Sequence, residues 1–115
     1  YLDRAKERTG GKIDTFFAQH KKLLERKDID AVVIATPDHW HGIMSVLACH
    51  AGEDVYIEKP MTRLVGEGPK IVEAARRYNR VVQVGSQGRS SALQKKAREI
   101  VASGQIGKVT KIVAS

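Results

Sequence analysis

Val55, Tyr56 and Ile57 run straight into Glu58 and Lys59, with Pro60 behind them, in the stretch DVYIEKPMT at 54–62. An acid and a base side by side at the end of an apolar, β-prone run are placed for proton transfer or for holding a polar ligand. Pro60 disfavours a helical backbone at Lys59, so the ammonium is delivered outward at the strand end instead of being wound into a following turn. A lysine is a compact charge whose proton affinity falls readily on partial burial, which suits it to give or take a proton near neutral pH. Glu58 would orient it or hold a ribose hydroxyl. The plainer account is a solvated pair at a strand end.

Two other stretches carry comparable chemistry. In TPDHWHG (36–42), Pro37 holds Thr36 extended, and the helix start that follows presents unpaired N–H groups suited to a phosphate or ribose oxygen. Asp38, His39 and His41 raise the question of a metal, but two histidines two apart without a further ligand cluster are a weak zinc signal, and no metal is expected. One of these rings is expected to lie near a bound ring system beside Trp40. In GSQGRSS (85–91), two glycines permit close backbone approach, and Arg89 could hold a carboxylate, hydroxyl cluster or phosphate.

The elements that must position these stretches follow from periodicity. Strand-length apolar runs recur at AVVIAT (31–36), DVYIE (54–58), RVVQVG (80–85) and KVTKIVA (108–114). They read as parallel strands buried on both faces. A helix capped by Asp38 and stopped by Gly52 is expected after the first, with Ile43, Met44, Leu47, Ala48 and Ala51 inward. A second, with Ile71, Val72 and Ala75 inward, ends at Asn79 in the left-handed position. A third runs from a serine cap to Gly104 with Leu93, Ala97, Ile100 and Val101 inward, and DTFFAQHKKLLERKDID (14–30) is a helix feeding the first strand. Strand and helix in alternation predict right-handed crossovers in an α/β, doubly wound sheet, whose ligands bind beyond the carboxyl ends of the strands.

Composition bounds the rest. At 115 residues and 42% hydrophobic, the chain can bury one modest core. A net charge of +7 would suit phosphates, yet the basic residues are interleaved with acids on helix faces, so nucleic acid is not an expected partner. No run approaches a membrane span, and a lone cysteine, Cys49, fits a reducing, cytoplasmic setting as a small buried hydrophobe. Any export signal would precede residue 1.

Taken in order, DAVVIATPDHWH, AGEDVYIEKPM, VEAARRYNRVVQVGSQGRSS and IGKV resemble the Gfo/Idh/MocA family of nicotinamide-dependent oxidoreductases, named for glucose–fructose oxidoreductase, inositol dehydrogenase and rhizopine catabolism. EKP after a strand is the most specific element. The resemblance implies a Rossmann domain that binds NAD or NADP, followed by a domain that supplies the substrate site. It makes Lys59 the catalytic candidate, and Thr36, Pro37, His41, Glu58, Lys59, Pro60 and Gln87 cofactor contacts, with Arg89 a substrate contact. The implied reaction is hydride transfer between nicotinamide and a sugar, cyclitol or related polyol.

The sequence also departs from the family pattern. It has no G-x-G-x-x-G turn, the element that grips the pyrophosphate. Residues 1–115 are therefore expected to be a partial nucleotide-binding domain, an incomplete Rossmann-type sheet lacking the first βαβ unit and ending where a substrate domain would start. A sheet missing its first strands exposes an edge that invites pairing with a second copy, and the chain alone is expected to be inactive. Two other functions stay open. One is an NAD-dependent glycosidase of related fold, and the other is a non-catalytic basic module that binds an acidic partner.

Overall fold

The computed structural model describes residues 4, 7–11 and 20–113, so residues 14–19 of the expected opening helix and Ala114 of the expected last strand lie outside it. Two compact units divide the chain, Tyr1–Val84 and Gly85–Ser115. Along the chain come α1 (His20–Leu24), β1 (Ala31–Ile34), α2 (His41–Ala51), β2 (Asp54–Glu58), α3 (Glu67–Arg77), β3 (Val82–Gly85) and α4 (Ala92–Ala102), with short 3-10 turns at Asp38–Trp40 and Gln87–Ser90.

The sheet has the order β1-β2-β3, and β1 runs parallel to β2 with Ala31 opposite Asp54 and Ile34 opposite Ile57. Strands added in one direction by right-handed crossovers place their connecting helices on one face. The core agrees: Ile34 from β1, Val55 and Ile57 from β2, Ala48 and Cys49 from α2 and Ala74 from α3 form one buried cluster. Val55 and Ile57 sit two apart and share a strand face, and burying each contributes about 1.5–3 kcal/mol. The other face is only partly covered, and Val33 is 72% exposed. Expected burial on both faces is thus found on one, because this part of the sheet winds in a single direction.

At the opposite strand ends, polar contacts lock the entries. Asp54 N donates to Asp30 O, Val81 N to Asp54 Oδ1 (both 2.9 Å), and Arg80 reaches the carbonyl of Gly52 at 2.9 Å. Gly52 closes α2 at φ 96°, and Asn79 after α3 takes φ 52°, both as expected from the sequence.

The helix faces differ from the apolar pattern. α2 buries His41, Gly42, Ser45, Ala48 and Cys49, while Ile43 is 49% exposed. Small residues allow close packing, and a stripe containing histidine, glycine and serine is invisible to a count of apolar residues. α3 buries Gly68, Ile71 and Ala74 and leaves Val72 44% exposed. Asp38 makes no side-chain cap bond; it opens the 3-10 turn, and α2 starts at His41.

Next to Gly52, Glu53 is 1% exposed and neither carboxylate oxygen has a partner among the described residues. Burial pushes its carboxyl above the ordinary 4.5, with Lys27 pulling weakly the other way. Burial likewise raises the thiol of Cys49, aided by the charge of Asp54.

In the second unit, Ser91 caps α4 by accepting from Gln94 N at 3.2 Å, as the serine before the helix predicts. No residue of α4 is buried, however, and Leu93 is 77% exposed. Residues 107–113 form no strand. A β run needs a hydrogen-bonded neighbour, and among the described residues the unit from Gly85 holds no second strand to supply one.

Candidate active site

Because β1 and β2 are parallel and in register, their carboxyl ends deliver two turns side by side, Thr36–His41 after β1 and Lys59–Gly66 after β2. Glu58 is the last residue of β2, and the Lys59–Pro60 peptide is cis. Lys59 is exposed, and no acidic side chain forms an ion pair with it among the described residues. Adjacent residues leave a strand on opposite faces, which separates Glu58 from its neighbour.

His41 ties the two turns together. The ring is 2% exposed, with Nδ1 2.6 Å from the carbonyl oxygen of Pro60 and Nε2 2.8 Å from that of Thr36. A ring carrying one N–H serves one of these acceptors, and a ring carrying two serves both. Of the two histidines, His41 faces inward to the backbone. Trp40, 46% exposed, has the rings of His39 at 5.7 Å and His20 at 6.3 Å. The outward histidine is therefore His39. No group of three or more His, Cys, Asp or Glu could hold a metal ion among the described residues.

Thr36 is the polar opening in this cluster. Its Oγ1 is buried at the end of β1 with no hydrogen-bond partner among the described residues. An unpaired buried hydroxyl costs about 1–3 kcal/mol. Gln87 and Arg89 lie in the 3-10 turn Gln87–Ser90, which begins two residues after β3.

Glu67, absent from the sequence candidates, also meets this region. Its Oε2 accepts from the backbone N–H of Arg63 at 3.0 Å and of Leu64 at 3.1 Å. The available signal is an acid at the first position of a helix that closes an irregular loop.

A parallel sheet with polar turns at the carboxyl ends of adjacent strands defines part of a Rossmann-type nucleotide-binding domain. Residues 3–86 match the family described as "Oxidoreductase family, NAD-binding Rossmann fold", Gfo/Idh/MocA, and the chain belongs to that family. It is 33% identical over 87 residues to scyllo-inositol 2-dehydrogenase (NAD(+)) of Bacillus subtilis, a match covering 76% of this chain and 25% of that protein. A glycosyl hydrolase family 109 protein of Shewanella pealeana is 40% identical over 58 residues, 50% of this chain and 13% of the other. Among solved structures, myo-inositol 2-dehydrogenase of Lactobacillus plantarum superposes with TM-score 0.82 at 29% identity, over 94% of this chain and 32% of that one. The chain thus spans about a quarter to a third of the length of the dehydrogenases it matches.

An exposed lysine beside polar turns at the carboxyl end of the sheet fits a dinucleotide such as NAD or NADP. The outward Lys59 offers its Nζ to a hydroxyl-bearing group. The sequence contains no glycine-rich phosphate turn.

Proposed function

We propose that this chain is the nicotinamide-facing part of an NAD(P)-dependent oxidoreductase acting on a sugar, cyclitol or related polyol. The observation that carries this is Lys59 standing exposed at the carboxyl end of β2, on a turn tied through His41 to the turn that carries the unpaired Thr36 hydroxyl. The bound dinucleotide supplies a two-electron hydride acceptor. Lys59, as the neutral amine at Nζ, would take the proton of the reacting hydroxyl and become the ammonium, while the carbon bearing that hydroxyl gives up its hydride and becomes a carbonyl. Thr36, Pro37, Glu58 and Pro60 contact the cofactor, and His41 contributes by fixing the two turns.

A cytoplasmic setting, with neither nucleic acid nor membrane as partner, completes this reading. No helix among the described residues is long and apolar enough to cross a membrane.

The test is turnover by the full-length protein containing this chain, with NAD and with NADP, over a panel of cyclitols and aldoses. Lys59→Ala should lower kcat by about 10²–10⁴-fold, the usual contribution of a positioned acid or base, while the cofactor still binds. Unchanged turnover in Lys59→Ala would remove Lys59 from the chemistry.

A glycosidase is the second reading, favoured by the 40% identity to a glycosyl hydrolase family 109 protein. Its sign would be release of sugar from a glycoside without net accumulation of NADH.

A further inference from the structure

The loop from Pro60 to Gly66 has little apolar anchorage. Leu64 is 63% and Val65 95% exposed, so these two side chains do not hold the segment. Three contacts do. His41 meets the Pro60 carbonyl. The Met61 side chain packs against the core, with its Cε 3.3 Å from where a Cβ on Gly68 would stand. Glu67 gathers the N–H groups of Arg63 and Leu64 onto one oxygen.

The third contact is seated by α2. A Cβ built on Gly42 would lie 3.2 Å from Glu67 Cδ and 3.4 Å from Oε2. A side chain there would press the Glu67 side chain to give by a few tenths of an ångström. Gly42 is buried and follows His41, so the first turn of α2 meets the loop at both ends: His41 at the carbonyl of Pro60, the residue after Lys59, and Gly42 against the side chain of Glu67, which ends the loop. An acid in a first helical turn commonly reaches back three residues to a preceding amide, as Glu67 does to Leu64. Glu67 also takes the amide one residue further back, Arg63, and so holds the loop as well as the helix start.

We infer that Glu67 is a positioning residue for Lys59, holding the far end of the loop that begins there, and that position 42 is glycine to admit its carboxylate. The inference rests on the reading of Lys59 as the group at the nicotinamide. With its far end released, the loop would be held near Lys59 only by β2, the His41–Pro60 contact and Met61, and misplacement of a reacting group by about 1 Å can cost on the order of 10²-fold in rate.

The experiment is reductive methylation of lysines in the full-length protein with and without NADH, read by mass spectrometry at the Lys59 peptide. Variants are Glu67→Ala, Glu67→Gln, Gly42→Ala and the Gly42→Ala/Glu67→Ala double. In the unsubstituted protein NADH should protect Lys59. Glu67→Ala should lose that protection, while Glu67→Gln should keep most of it, since an amide oxygen still accepts both N–H groups. Gly42→Ala, a change that favours the helix by propensity, should lose protection in part and add nothing when Glu67 is already alanine. Full protection in Glu67→Ala, or losses that add in the double variant, would overturn the inference alone. Absence of NADH protection in the unsubstituted protein would overturn the placement of Lys59 at the nicotinamide and this inference with it. If Glu67→Ala fails to fold, Glu67→Gln and Gly42→Ala decide: losses in Gly42→Ala alone support it, and equal protection in both overturns it.

Discussion

His41 Nδ1 stands 2.6 Å from the carbonyl oxygen of Pro60, across 19 residues of sequence, and its other ring nitrogen stands 2.8 Å from the carbonyl of Thr36. One buried ring therefore sets the spacing between the turn that follows β1 and the turn that carries Lys59. Its place at the head of α2 explains why a polar residue lies on the buried face of that helix.

Asparagine places its amide nitrogen near Nδ1 of a histidine, and glutamine near Nε2. His41→Asn should keep the link to Pro60 and lose that to Thr36, with His41→Gln doing the reverse. Each keeps at most one of the two contacts, and losing a hydrogen bond costs about 0.5–1.5 kcal/mol of stability. Turnover by the full-length protein should fall further in His41→Gln, because Pro60 adjoins Lys59. Equal activities at equal thermal stability would show that the Pro60 link does not govern the lysine.

Glu53 makes stability depend on pH. Its carboxyl is raised in the folded state by burial, so the folded form binds a proton that the unfolded form has released. The associated stability is complete below the ordinary value of 4.5 and is lost as pH climbs through the raised folded value. Glu53→Gln should melt at a higher temperature than the parent sequence at neutral pH, with the difference vanishing in acid. Melting curves across that range check it, and a difference that grows in acid would contradict it.

Ile57 is fully buried between α2, α3 and the strands, in the residue pair before the Glu58–Lys59 dipeptide. Ile57→Ala should cost about 2–5 kcal/mol in denaturant unfolding, as cavity-forming changes in a core do. Val33→Ala, at a 72% exposed position of β1, should cost far less.

Cys49 has no exposed surface, and burial raises its thiol, so little thiolate forms and none is reachable. A disulfide-exchange reagent should leave it unmodified in the folded protein and react fully in denaturant. Rapid modification without denaturant would mean that α2 opens from the sheet.

Much of this molecule was legible in its sequence because the signals are local. Alternation of strand runs with capped helices, the left-handed stops at Gly52 and Asn79, the serine cap of α4, and the acid and base before Pro60 each depend on residues within a few positions of one another. What tertiary structure decided is where those signals compete or act at a distance. KVTKIVA has strand composition but forms no strand over 108–113, since a strand's hydrogen bonds must be met by another strand. α2 turns Ser45 and His41 inward and Ile43 outward, because close packing selects small side chains and two distant carbonyls claim the imidazole. Glu67 carries no motif at all. Its partners are two backbone amides and the missing side chain of Gly42, neither of which has any signature until the chain has folded them together.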